Sequence, residues 1–323
     1  MPLVVAITGA SQGIGATLAL QCARAGHSVI LVARTEDALK TVTQQCNDVY
    51  TQSSTDAKAI YVVGDATKRE TFERVVETAT TTFGGLDVLV NNAGQGITKQ
   101  TSALTEEEFD AMINTNTKGP LWGMQVAVAH FKSKAIPTGM VINVSSMLGR
   151  IPTACQRSAY AAAKHALNSL TCTFREELCD GGYAGILMCS FHPGVVGTAF
   201  GLNSVNGGFD NRLLPDAQPV EEVAGVLLEQ IAKGAAAMAA EQERMRGKEE
   251  RDEAGNGVGS TVFGDGTGIY DVYSRPEYKR NVELYFGAED MCKRERQVRA
   301  AYMDAVRKSI AERARLAAQE SSQ

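Results

Sequence analysis

Six short apolar runs punctuate the first two thirds of the chain: Leu3–Thr8, Ser28–Ala33, Ala59–Val63, Val88–Val90, Gly139–Val144 and Ile186–Phe191. Each is nearly continuous rather than alternating, as a strand buried on both faces requires. Segments of helical character, ten or more residues long, separate them. This β-α-β-α order predicts an α/β fold built on a doubly wound parallel sheet.

Beyond the sixth run the pattern changes. Leu202–Pro215 is loop-like, rich in Gly and Asn but dotted with Leu and Phe. Pro219–Lys233 reads as a helix with Val226, Leu227 and Ile231 on its apolar face. From 234 to 268 the chain runs through alanines, a charged stretch and a glycine-rich stretch, with almost no large apolar residue. Such a segment cannot offset its ordering entropy, so it reads as a flexible insertion. Order is expected to resume at Ile269–Tyr273. The tail from Cys292 reads as a charged helix with an apolar stripe of Val298, Tyr302, Val306 and Ile310. The expected organisation is a dinucleotide-binding and catalytic domain over 1–233, the insertion over 234–268, and a C-terminal extension over 269–323.

Composition narrows the class. The 323 residues carry a net charge of −5, which argues against sequence-independent nucleic-acid binding. The seven cysteines form no CxxC pair and mostly lie in apolar or helical stretches, fitting a reduced, cytoplasmic setting. The N-terminus lacks the marks of a targeting peptide, and no apolar run approaches the roughly 20 residues of a membrane span. Histidines 27, 130, 165 and 192 do not combine with Cys or carboxylates at ligand spacing, so no metal is expected.

The candidate chemistry begins at Thr8-Gly9-Ala10-Ser11-Gln12-Gly13-Ile14-Gly15, between the first strand and a helix. Glycines at 9, 13 and 15 allow a tight turn and close approach of a pyrophosphate, and the helix start offers free N–H groups to that anion. Further on stand Asn91-Asn92-Ala93-Gly94, Ser146, Tyr160 with Lys164 one helical turn later, and Pro193-Gly194. Tyr160 is the only one of nine tyrosines with a lysine four residues on. A GxSxG elbow, which a serine hydrolase of the α/β-hydrolase kind would need, does not surround Ser146.

Taken in order, these segments resemble the TGxxxGxG, NNAG, Ser, YxxxK and PG elements of the short-chain dehydrogenase/reductase family, spanning residues 8 to 198. The resemblance weakens past about residue 233. It implies a single Rossmann-type domain and an oxidoreductase moving a hydride between NADP(H) and a carbonyl or alcohol. It implies a catalytic set of Asn116, Ser146, Tyr160 and Lys164, with Tyr160 as proton donor or acceptor. Asn114 is the alternative to Asn116, and Ser145 to Ser146. A cation one turn from the phenol, together with the nicotinium charge, is expected to lower its pKa toward the working pH. The resemblance also implies cofactor contacts from Gly9, Ser11, Gly13, Ile14 and Gly15, from Asn92 and Gly94, and from Tyr160 and Lys164. Val196 and Thr198, in a PGxVxT-like stretch, are similar to the family's nicotinamide-amide contacts, and Asp65 to its adenine contact. His192 reads as structural.

The second strand ends at Ala33-Arg34, where an NAD enzyme usually places an acidic residue. Arg34 before a helix start is electrostatically misplaced unless an anion receives it, and a 2′-phosphate is that anion. Phe200, Leu202, Val205, Phe209 and Leu213 suggest a partly apolar lid over a small-molecule carbonyl or alcohol. Homodimer or homotetramer pairing is expected through the helices near Asp110–Phe131 and Tyr160–Leu178, with Trp122 and Ala161–Ala163 at the contact. The competing readings are a non-catalytic NADP-binding scaffold or sensor, and another reaction on the same fold, such as epimerisation or dehydration.

Overall fold

A computed structural model describes residues 2–53, 55–152, 154–253, 270–287 and 315. The apolar runs become β1 (Val4–Thr8), β2 (Ser28–Ala33), β3 (Ala59–Val63), β4 (Val88–Asn91), β5 (Gly139–Val144) and β6 (Ile186–His192). A seventh strand, β7 (Asp271–Tyr273), joins the edge beside β6. All pairings are parallel, in the order β3-β2-β1-β4-β5-β6-β7.

Side-chain alternation along each strand feeds two cores. Val5, Ile7, Val29 and Leu31 face one layer, where α1 (Gly13–Arg24), α2 (Glu36–Ser53) and α7 (Val220–Glu253) supply Leu18, Cys22, Leu39, Cys46, Val223 and Leu227. Ala6, Ile30 and Val32 face the other, with α3 (Arg69–Phe83), α5 (Gly119–Lys132) and α6 (Ser158–Asp180) supplying Phe72, Val75, Met124, Phe131 and Leu167. Two further helices, α4 (Glu106–Ile113) and α8 (Pro276–Phe286), lie near the C-terminal ends of the strands and complete the described set. The crossover sense reverses between β1 and β4, which are adjacent. In open parallel sheets this switch point is where ligands bind.

The expected break at 233 is corrected. The helix does not stop at Lys233 but runs to Glu253, with Met238 and Glu241 buried 6% and 5% exposed. Glu241 is held by Arg244 at 2.6 Å. Counting only large apolar residues missed what the alanine run does: alanine is the strongest helix former, and small side chains let the helix lie close to the sheet. Gly234 shows how close, since a Cβ there would meet Met140 Sδ at 2.3 Å. The flexible reading of 234–247 therefore fails. By length and composition α7 could cross a membrane, but it buries Val223, Leu227 and Ile231 in the core. The glycine-rich stretch from 255 to 268 and the helix expected from Cys292 lie outside the described residues.

Candidate active site

The functional segments follow the C-terminal ends of β1, β4, β5 and β6, so the sheet gathers them at one edge. The glycine turn after β1 needs its glycines for two separate reasons. Gly9 has φ +66°, and a Cβ there would lie 2.9 Å from Ala93 Cα. A Cβ on Gly15 would meet Gly9 O at 2.5 Å and Asn92 Nδ2 at 2.6 Å. The turn is thus pressed against the segment following β4. Thr8 Oγ1 accepts from the Asn92 and Ala93 amides, both at 3.0 Å, and Asn92 Nδ2 donates to Thr8 O at 2.9 Å. Asn92 therefore ties the two turns together through its side chain. No side chain caps the start of α1, leaving its first N–H groups open beside Ser11 and Ile14. Thr198 lies across this turn, its methyl 3.4 Å from where a Gly13 Cβ would be. Val196 is buried and paired with Gln218 in an isolated bridge.

Asn116 occupies a π-helical turn, Asn114–Lys118, between α4 and α5. Helical spacing alone could not reveal this turn, which marks functional positions more often than regular helix does. Asn116 is fully buried. Its Nδ2 donates to Gln95 O at 2.9 Å and Met112 O at 3.1 Å, and its Oδ1 accepts from Gln95 N at 3.2 Å. Thr117 Oγ1 donates to Ala163 O at 2.8 Å, fastening the turn to α6. A Cβ on Gly94 would stand 3.1 Å from Asn116 Oδ1 and 3.7 Å from Lys164 Nζ, so these two groups converge on the Gly94 backbone. Asn114 is only partly buried, at the start of the turn.

Tyr160 and Lys164 open α6 and are almost wholly buried. Lys164 Nζ donates to Val144 O at 2.7 Å and lies 5.7 Å from the Tyr160 ring centroid. Burial lowers its pKa to about 7. Burial likewise pushes the Tyr160 phenol up to about 12, against the opposing pull of the Ser146 hydroxyl hydrogen bond and the Arg157 charge. In the cofactor-free chain burial is the larger influence on the phenol. Lys164, bonded to a carbonyl and half discharged near neutrality, adds no resolved pull on it.

Ser146 Oγ accepts from Leu148 N at 3.1 Å, which leaves its own proton free to donate. The Ser145 hydroxyl instead turns toward Lys164 O at 3.5 Å, away from the phenol.

Phe200 stacks obliquely on Tyr160, 5.9 Å between centroids, and packs with Ile97, Met112 and Val205. Leu202, Phe209 and Leu213 are exposed. Arg34 is exposed at the end of β2 with no side-chain partner among the described residues. Asp65 accepts from Thr67 N at 2.9 Å and its carbonyl accepts from Thr71 at 2.8 Å, which fixes the turn into α3. Of the small residues expected at a helix contact, Ala161 and Ala163 face the protein's own interior and only Ala162 is exposed. Sequence reading missed Arg157, which ties the lid down through Ile97 O at 3.1 Å and Ser204 Oγ at 3.3 Å. It also missed Asn168, which donates to Gly149 O at 2.9 Å; its one signal was its position a turn beyond Lys164. Among the described residues no group of three His, Cys, Asp or Glu side chains gathers as a metal would need.

Comparison with known proteins agrees with this layout. The family profile described as short chain dehydrogenase matches residues 3–206, and the chain belongs to that family of oxidoreductases. An uncharacterized oxidoreductase of Bacillus subtilis is 38% identical over 197 residues, 61% of this chain; the chain spans about half of that relative, 53%. One from Staphylococcus epidermidis is 32% identical over 195 residues, 60% of this chain and 78% of that protein. The structure of an alcohol dehydrogenase from Thermococcus sibiricus, complexed with 5-hydroxy-NADP, aligns with TM-score 0.60 and 27% identity, covering 70% of this chain and 89% of that one. A short chain dehydrogenase/reductase from Burkholderia phymatum in complex with NAD aligns over 88% of this chain and 93% of its own, TM-score 0.67; at 19% identity it speaks to the fold alone.

Proposed function

We propose that the protein is an NADP(H)-dependent oxidoreductase interconverting a carbonyl and an alcohol, with Tyr160 delivering or accepting the proton at the substrate oxygen. The observation that carries this reading is the convergence of a buried phenol, a serine hydroxyl near enough to pull on its pKa, and a buried lysine one turn away, beside a glycine turn with no room for side chains at Gly9 and Gly15. The glycine turn fits a dinucleotide: Gly9 and Gly15 clear the backbone, and the uncapped start of α1 faces the pyrophosphate. Gly13, Ser11 and Ile14 belong to that cradle; Asn92, Gly94, Val196 and Thr198 border the nicotinamide end, and Asp65 the adenine end. A bound nicotinamide supplies the hydride for reduction of a carbonyl carbon.

The chain's own residues supply the rest. Burial keeps Tyr160 protonated at neutral pH, the form that donates to a carbonyl oxygen. Ser146 holds that oxygen with the proton its Leu148 bond leaves free. Lys164 holds the ribose side of the cofactor and provides a proton reservoir near neutrality. Asn116 fixes the Gly94–Gln95 peptide against which Lys164 lies. Arg34, exposed and unpaired where an acid would sit in an NAD enzyme, receives the 2′-phosphate. The lid residues Phe200 and Val205 favour a partly apolar substrate. The active form is a cytoplasmic homodimer or homotetramer paired through α5 and α6.

The test is NADPH oxidation across a panel of aldehydes and ketones, with Tyr160→Phe as blank. Wild type should turn over at least one carbonyl, and the variant should lose that turnover while binding NADPH nearly as well. Near-normal kcat in Tyr160→Phe would refute the assignment of the proton to this phenol.

A further inference from the structure

The segment carrying Ser146 is a single 3₁₀ turn, Met147–Gly149, with few bonds of its own. Gly149 N donates to Ser146 O at 2.9 Å, and Arg150 N and Ile151 N donate to Met147 O at 3.0 and 2.9 Å. One isolated turn is marginal in water, so its placement has to come from neighbours. Asn168 holds its middle through Gly149 O. Its two ends meet at one carboxylate. His192, wholly buried at the end of β6, lies under the Ser146 peptide with Nδ1 3.4 Å from Ser146 O, and its Nε2 is 3.0 Å from Asp271 Oδ1. Arg150, at the far end of the turn, also pairs with Asp271 Oδ1. Apolar contacts follow the same path: Tyr273 stacks on His192 at 4.9 Å, and Met147 and Ile151 pack with Val282 and Tyr285 of α8.

β7 and α8 lie past residue 206, where the family match ends. We propose that Asp271 is a positioning residue for Ser146, clamping the Ser146–Ile151 segment at both ends through His192 and Arg150. The proposal rests on the reading of Ser146 as the group that holds the reacting oxygen. The C-terminal extension thereby becomes part of the catalytic apparatus.

His192 Nε2 faces the carboxylate at 3.0 Å and so carries a proton that it donates to Asp271; Nδ1 donates to Ser146 O only in the imidazolium, which burial opposes and Asp271 favours, and in the neutral ring it is held against Ser146 O by packing alone. Burial works to raise the Asp271 pKa, but His192 and Arg150 outweigh it and hold the acid at about 2. The Asp271 carboxylate is therefore ionised at neutral pH. Asp271 is itself 44% exposed, so its pairing with Arg150 contributes little to global stability. Its effect is geometric, and a misplacement of about 1 Å in an active site can cost about 100-fold in rate.

The full-length Asp271→Ala, Asp271→Asn, His192→Phe and His192→Phe/Asp271→Ala proteins test this. Two measurements are taken: amide exchange across 147–151 in the ligand-free protein, and kcat, KM and NADPH Kd with the best carbonyl from the panel. Asp271→Ala should speed exchange of Leu148, Arg150 and Ile151 by about tenfold or more, with β1 and β4 unchanged. Its kcat should fall about 10- to 100-fold while the NADPH Kd stays within about twofold. Asp271→Asn, which folds with the same shape and can still accept from His192, should fall between. The double variant should be about as slow as the worse single one, because residues that act as a unit are not additive. Unchanged exchange in Asp271→Ala, unchanged kcat, or multiplying losses in the double variant each overturn the proposal. Should wild type turn over no carbonyl or alcohol, the reading of the site falls, and the exchange measurement alone then judges the clamp.

Discussion

Replacing Lys164 by methionine isolates the most perturbed cation of the site. The side chain is 3% exposed, and burial takes its pKa from 10.5 to about 7. A lysine with its folded pKa below its unfolded one binds the proton more tightly when unfolded. Between pH 7 and 10.5 the unfolded chain therefore holds the extra proton, and folding stability rises with pH through that window. At about 1.36 kcal/mol per pKa unit, the full effect is about 5 kcal/mol. Between pH 7 and 9 the lysine moves from half to almost fully neutral in the folded state and stays charged in the unfolded state, which corresponds to about 2 kcal/mol. Urea unfolding of the ligand-free proteins at pH 7, 8 and 9 reads this directly. Wild type should gain about 2 kcal/mol more than Lys164→Met over that interval, and the comparison cancels the other groups that titrate in both proteins. Parallel stability curves for the two proteins would refute the reasoning, since they would mean that Lys164 keeps an ordinary pKa in its buried site.

Arg34→Ala should weaken NADPH binding about 10- to 100-fold and leave NADH nearly unchanged, because a charge-assisted bond to a phosphate contributes about 1.5–3 kcal/mol; equal losses for both cofactors in a fluorescence titration would show that Arg34 does not read the phosphate. Met238→Ala should destabilise the protein by about 2–3 kcal/mol, since Met238 packs into the core from the part of α7 beyond Lys233, and an unchanged melting temperature would mean that this stretch does not pack. Gly9→Ala should lose at least about 1–2 kcal/mol of stability and most of its dinucleotide affinity, because φ is +66° and the new methyl would press on Ala93; calorimetry together with an NADPH titration checks both.

Much of this protein is readable from its residues in order. Six strands were legible because each is buried on both faces and so must be apolar throughout; β2, β3 and β5 fall on the predicted residues. The glycine turn and Tyr160 with Lys164 were legible because their spacing falls along one turn or one helix; Pro193-Gly194 was legible only through the family resemblance. β7 was not. Three residues past a long intervening stretch carry no periodicity, and they form a strand only because β6 offers an open edge. The second half of α7 was missed for a related reason: alanines show no apolar stripe, and their burial depends on a sheet surface close enough to cover them.

The site divides the same way. The family resemblance named Asn116, the Tyr160–Lys164 pair and Ser146 ahead of Ser145, but only the structure shows how the two serines differ in their partners, Leu148 N for Ser146 and Lys164 O for Ser145. Sequence spacing could not foresee that Lys164 would be neutral at about half occupancy and Tyr160 firmly protonated, because desolvation is a property of everything packed around a group rather than of its neighbours in sequence. Asp271 makes the point most directly. It stands 79 residues from His192 in a segment without recognisable motif, and only the pairing of β7 with β6 brings its carboxylate to that ring. Local spacing determined which residues can do the chemistry; burial and long-range pairing decided their charge state and what holds them in place.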